Sequence, residues 1–225
     1  MSQDESRDSH PRSEGSTRRL EALADGFFAV AMTLLVLDLS TGEGTSEAVP
    51  QVLRSSLPHL LLYFDSMLVL GALWFGTRNA SEFVRRTDHP HTWLTLGMLA
   101  FVALVPWTTA LVALHVRSPL AITAYTVNLA LATGFDGAAW LYATGRGGLA
   151  TDMTPRFLRV SRLLTGVPVA GLLLATGLAW LSTWAALGLV VALPLFPITG
   201  ASYRVQYRLS HRVPHATRSA PHDPR

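Results

Sequence analysis

The chain has 225 residues, of which 49% are apolar and only 15% charged, against roughly a quarter charged in a soluble domain. The apolar residues are gathered into blocks of about twenty, the length that crosses a hydrocarbon core of roughly 30 Å, so a soluble globule is excluded and an integral membrane protein expected. All eighteen basic residues are arginine, the formal charge is +3 and there is no cysteine, which removes disulfides, thiolate metal sites and cysteine nucleophiles.

Residues 1–18 contain no apolar stretch, so they do not read as a signal peptide but as a disordered, polar N-terminal arm. A first span is predicted at about 20–39, interrupted only by Glu21, Asp25 and Asp38, and closed by the Ser-Thr-Gly-Glu-Gly run from Ser40. A second at about 57–77 carries a single charge, Asp65, and a third at about 92–115 carries none. Pro119 opens a fourth, about 120–144, with one acid, Asp136, and it stops at the breaker Gly145-Arg146-Gly147-Gly148. Between Arg162 and Arg204 no formal charge occurs; the stretch is too long for one helix and fits two, at about 163–181 and 184–203, joined near Ser182-Thr183. The fold class expected is therefore an all-α integral membrane protein with six transmembrane helices in a domain over 19–205, followed by a polar tail over 206–225. The first three spans do not resemble the last three, so no internal repeat is expected, and any central pore would need several chains to meet.

Arginine placement tests the count, because basic residues concentrate in cytoplasmic loops and the sides alternate with each crossing. Six spans put sixteen arginines on one side and leave only Arg54 and Arg117 on the other. A multi-pass protein of the cell membrane with both termini cytoplasmic is expected. The same division argues against nucleic-acid binding, since no basic patch interleaved with aromatics accompanies it.

A carboxylate inside a span costs several kcal/mol or more and is a functional hypothesis by default. Asp25 lies six residues after Arg19, about 240° round the helix, so the two cannot bridge within it; each needs a partner on another helix or at the interface. Asp65 and Asp136 are predicted to face the bundle interior, either paired with a helix-end arginine or hydroxyl or serving as ion or proton sites of a secondary transporter. Against a transporter stand the missing repeat and the lack of matching broken helices. Val30, Thr33, Leu34 and Leu37 follow i, i+3, i+4, i+7 and form one stripe on the first helix. Such a stripe either packs or, in a membrane, lines a narrow passage as a hydrophobic constriction. Beyond its outer end Asp38, Glu43 and Glu47 face one basic residue, Arg54, a balance that would draw cations to an outer mouth. No His-x-x-x-His pair falls on a predicted helix, His211 and His215 lying in the polar tail, and no nucleophile elbow or phosphate loop is present, so neither an enzyme, nor a metal site, nor a cofactor is expected.

The segment Arg19-Leu20-Glu21-Ala22-Leu23-Ala24-Asp25-Gly26 running into FFAVAMTLLVLDL resembles the opening helix of the transmembrane protein 175 family, lysosomal and bacterial potassium channels whose signature is Arg-x-x-x-Phe-Ser-Asp. Arginine and aspartate stand at the family's separation, with Leu23 and Ala24 in place of phenylalanine and serine. Trp74, the LVPWTTAL segment at 104–111 and Asn128 are also similar to family positions, while Thr77 and Arg78 replace the usual histidine pair after that tryptophan. The resemblance implies a homotetramer whose first helices line a central pore without a carbonyl filter, Val30, Thr33 and Leu37 facing the axis, and Arg19 and Asp25 holding that helix to its neighbours. It implies passive conduction of potassium and other monovalent cations, with potassium modestly favoured over sodium.

Overall fold

The computed structural model describes residues 11–38, 49–84, 86–145, 149 and 155–198, and apart from an isolated bridge at Val84 everything regular in them is helical. In chain order these are α1 (Pro11–Leu34), continued by a 3-10 turn (Leu35–Asp38), α2 (Val49–Ser81), α3 (His89–Ala103), α4 (Val105–Leu114), α5 (Pro119–Gly145), α6 (Pro155–Leu178) and α7 (Thr183–Ile198). Helix α1 begins at Pro11, inside the segment expected to be a disordered arm; proline fits the first helical position, where its missing N–H costs nothing. The expected end of the last span and the tail from 206, like Glu43 and Glu47, fall outside the described residues.

Among the described residues four helical stretches are long and apolar enough to cross a membrane: Thr17–Leu37, His59–Ser81, His89–Leu114 and Leu158–Leu178. Helix α5 has 27 residues, about 40 Å at 1.5 Å per residue. It is not among the four because threonines, glycines, Asn128 and Asp136 dilute it. The apolar part of α7, Thr183–Pro194, is shorter than the others.

The third span is one membrane-length stretch broken into α3 and α4 at Leu104, two residues before Pro106. Proline supplies no backbone donor and obstructs the preceding turn. Asn128 covers the break: it is buried, and its amide donates to the Phe101 carbonyl at 3.2 Å and toward the Thr108 hydroxyl at 3.4 Å. The start of α3 is capped by Asp88, whose carboxylate accepts the His91 backbone N–H at 3.0 Å and the Tyr142 hydroxyl at 2.6 Å. Those two bonds and the nearby His91 charge outweigh the opposing effect of burial and hold the Asp88 carboxyl below its ordinary range.

Helix α5 is the hub, packed against α3, α4, α6 and α7, with Ile122, Tyr125, Leu129 and Ala132 fully buried. Between membrane helices water-driven burial is weak, and close backbone approach through small residues matters more. The structure shows it at two seams. A Cβ on Gly97 would stand 2.7 Å from the Phe135 ring, and one on Gly137 would stand 2.7 Å from the Thr165 methyl.

Three bonds align the arginine-bearing ends of the helices. Thr17 on α1 meets Thr87 in the α2–α3 connection, Tyr142 near the end of α5 meets Asp88, and Arg162 on α6 donates to the Thr144 carbonyl at 2.7 Å. The arginines at 19, 78, 86, 159 and 162 therefore lie toward one end of the bundle.

The first helix and its lock: a candidate functional site

Helix α1 has two unlike faces. Ala24, Phe28, Ala31 and Leu35 are buried, at i, i+4, i+7 and i+11, and form the stripe by which α1 attaches to the rest of the subunit. Small and large residues alternate along it, which lets the helix approach closely while two side chains fill the gaps. On the opposite side Leu23, Phe27, Val30, Thr33, Leu34 and Leu37 are exposed, Val30 by 57% and Leu37 by 73%. The whole stripe singled out by spacing thus points away from its own subunit. The Thr33 hydroxyl donates to the Val30 carbonyl at 2.8 Å, which leaves the oxygen's lone pairs turned outward as acceptors. Asp38 ends the 3-10 turn at the C-terminal end of this helix.

The polar anchor of α1 is Asp25. One carboxylate oxygen accepts the Trp74 indole N–H at 2.8 Å, and the other faces an Arg78 guanidinium nitrogen at 3.4 Å. Trp74 and Arg78 are four residues apart on α2, hence on one face, so a single carboxylate is gripped by two successive turns. Arg19 is exposed and has no ion pair among the described residues. Leu23, where the family signature has phenylalanine, lies on the outer face, and Ala24, where it has serine, lies in the packed stripe. Sequence reasoning singled out Trp74 and noted the exchange at 77 and 78. It missed that Arg78 would reach Asp25, although the spacing of four from Trp74 carried that signal.

The two remaining intramembrane acids do not converge. Asp65 is buried beside the Tyr125 hydroxyl, in a cluster where Ser66 bonds to Thr109 at 2.9 Å and to Tyr125 at 3.0 Å. Asp136 on α5 accepts the Thr77 hydroxyl at 3.0 Å. Since Asp65 and Thr77 are twelve residues apart on α2, the two carboxylates lie about 18 Å apart along that helix. Among the described residues no group of three or more histidine or acidic side chains is placed to hold a metal ion.

Comparison with known proteins decides the family. Residues 19–106 match the family model described as the endosomal/lysosomal potassium channel TMEM175. A potassium channel of Streptomyces collinus is 34% identical over 185 residues, covering 76% of this chain and 88% of that protein. The chain belongs to the TMEM175 family. A potassium channel of Chamaesiphon minutus is 27% identical over 195 residues, with 81% of this chain and 94% of the relative aligned. The crystal structure of a lysosomal potassium-selective channel TMEM175 homolog from the same organism superposes with a TM-score of 0.69 at 26% identity, covering 81% of this chain and 96% of that one. The endosomal/lysosomal proton channel TMEM175 of Bos taurus shares 28% identity over 155 residues, about a third of its length. This TMEM175-family chain is thus a membrane channel protein, not an enzyme.

Proposed function

We propose that the chain is a potassium-permeable cation channel of the cell membrane, in which the α1 helices of several copies, four by analogy with the family resemblance, surround a shared axis. Each copy crosses six times, through α1, α2, the broken α3–α4 unit, α5, α6 and α7, as a domain over 19–205 with both termini cytoplasmic. The observation that carries this reading is the asymmetry of α1: one face is fastened to its own subunit through Ala24, Phe28, Ala31, Leu35 and Asp25, while Val30, Thr33, Leu34 and Leu37 are left unpacked. A pore-lining helix needs both features, attachment to its own subunit on one side and a free face toward the axis on the other.

The mechanism follows from what the free face offers. Rings of Val30 and Leu37 cannot replace an ion's water, so an ion crosses them partly hydrated or pays for stripping its shell. Potassium releases water more readily than sodium, and a ring of Thr33 oxygens returns some of the lost coordination midway. The expected selectivity is a modest preference for potassium. Asp25, held by Trp74 and Arg78, fastens the helix within its subunit rather than touching ions, Arg19 is left exposed to hold it against a neighbouring copy, and Asp38 at the outer end adds negative potential that attracts cations. No cofactor is required, and the partners are monovalent cations, lipid and further copies of the chain.

Val30→Asn in proteoliposomes should raise potassium flux several-fold and reduce the potassium-to-sodium ratio, with unchanged melting in detergent. Unaltered flux and selectivity would remove Val30 from the constriction. A secondary-transporter reading would use Asp65 and Asp136 together; their separation of about 18 Å along α2 weighs against one shared site.

A further inference from the structure

Between the arginine-bearing ends of α1, α2, α3 and α5 lies a cavity of about 70 Å³. It has no part in the pore or in the Asp25 lock. One wall is a single face of α1, where Thr17, Leu20, Glu21 and Ala24 follow i, i+3, i+4, i+7; the others include Thr77, His91 and Asp136. Most of the lining is hydrocarbon, and the exceptions are informative. Among the described residues Asp136 has one hydrogen-bond partner, the Thr77 hydroxyl, although a carboxylate offers about four acceptor positions. The buried Nδ1 of His91 has none. A carboxylate left so incompletely satisfied among carbon atoms is costly, and the complement that relieves it is a small cation with several N–H donors and an apolar body.

We propose that this cavity is a binding site for a short-chain primary ammonium ion, its N–H groups on Asp136 and its alkyl group against Leu20, Ala24 and Ala139. Volume sets the size. A cavity of about 150 Å³ admits benzene, with six carbon atoms, so 70 Å³ suits three or four non-hydrogen atoms, as in ethylammonium or propylammonium. An inorganic cation suits the site less well, because the apolar walls cannot supply the oxygen shell that it would leave behind in water. The charge that favours a cation over a neutral alcohol of the same shape is that of Asp136, with Glu21 on the α1 wall offsetting part of the opposing field of the arginines at this end.

The test uses the purified full-length chain in mild detergent and ligand-observed saturation-transfer NMR, with ethylammonium as probe, ethanol as its uncharged counterpart and tetraethylammonium as an oversized cation. Saturable transfer is expected for ethylammonium alone. Asp136→Asn, which keeps an acceptor for Thr77, should weaken it tenfold or more; Ala139→Leu, which fills the cavity, should abolish it, and Asp65→Asn should leave it unchanged. Melting curves show which variants are folded, and either cavity variant suffices. Absence of saturable transfer in the parent chain overturns the proposal, as does equal binding by ethanol or undiminished binding by a folded Asp136→Asn or Ala139→Leu protein. Binding is read without ion flux, so a chain that bound ethylammonium yet conducted nothing would refute the channel reading and leave this one standing.

Discussion

The link between α1 and α2 should be measurable as a coupling energy between Asp25 and Trp74. The indole N–H reaches the carboxylate at 2.8 Å, and a hydrogen bond to a charged acceptor contributes about 1.5–3 kcal/mol when well shielded. Asp25 and Arg78 are 45% and 51% exposed, so screening brings the expected value down to about 1 kcal/mol. A double-mutant cycle of Trp74→Phe with Asp25→Ala, followed by thermal unfolding in detergent, should therefore show non-additivity of about 1 kcal/mol, or roughly 2–4 °C for a chain of this size. The Arg78 contact is longer, at 3.4 Å, and the corresponding cycle with Arg78→Gln should give at most about half as much. Additive effects of Trp74→Phe and Asp25→Ala, or a larger coupling to Arg78 than to Trp74, would refute the view that the indole carries the lock.

Helix α5 offers a comparison with its own internal control. Alanine at Gly134 meets nothing within 4 Å, while at Gly137 its Cβ falls 2.7 Å from the Thr165 methyl, short of the roughly 3.5–4.0 Å of a relaxed carbon contact. Both changes gain the same helix propensity, so Gly137→Ala should be about 1–3 kcal/mol less stable than Gly134→Ala and should melt several degrees lower; equal melting would mean that the α5–α6 seam gives way freely. Acid should weaken the end where α3 begins. The Asp88 carboxyl is held below its ordinary range by Tyr142 and the His91 N–H, so its contribution is complete above the unfolded value near 4 and is lost as pH falls through the lower folded value. The melting difference between the parent and Asp88→Ala, expected to reflect about 1 kcal/mol of capping energy at pH 6, should shrink below pH 4, and a difference that grew there would overturn the assignment.

What the sequence made legible follows from what a membrane demands. Crossing length and the sidedness of arginine are imposed by the solvent, so both can be read in residue order without knowledge of partners, and four of the described helical stretches have that length. The break within the third span was less legible, because Pro106 announces a kink but nothing in residue order names Asn128, 22 positions on, as the side chain that covers it. On α1, periodicity identified Val30, Thr33, Leu34 and Leu37 as one face, yet could not tell a packed face from a free one. The stripe that packs, Ala24, Phe28, Ala31 and Leu35, has the same period and is just as apolar. Only tertiary contact distinguishes them, because lipid, unlike water, does not mark the outer side with polar residues.

The exchange at positions 77 and 78 shows how one departure from the family pattern holds together. Where the resemblance leads one to expect two histidines after Trp74, this chain has a hydroxyl and a guanidinium, and each meets an aspartate: Thr77 bonds to Asp136 and Arg78 to Asp25. Histidine changes charge between about pH 5 and 8; threonine, arginine and the Trp74 indole do not. The donors that tie α1 and α5 to α2 in this protein therefore keep their hydrogen-bonding character across neutral pH. The acids they face stand on adjacent sides of the C-terminal end of α2, one fastening the candidate pore helix and the other lining the ammonium cavity. Because residues 77 and 78 are consecutive, about 100° apart around α2, a rotation of that helix would strain both bonds together.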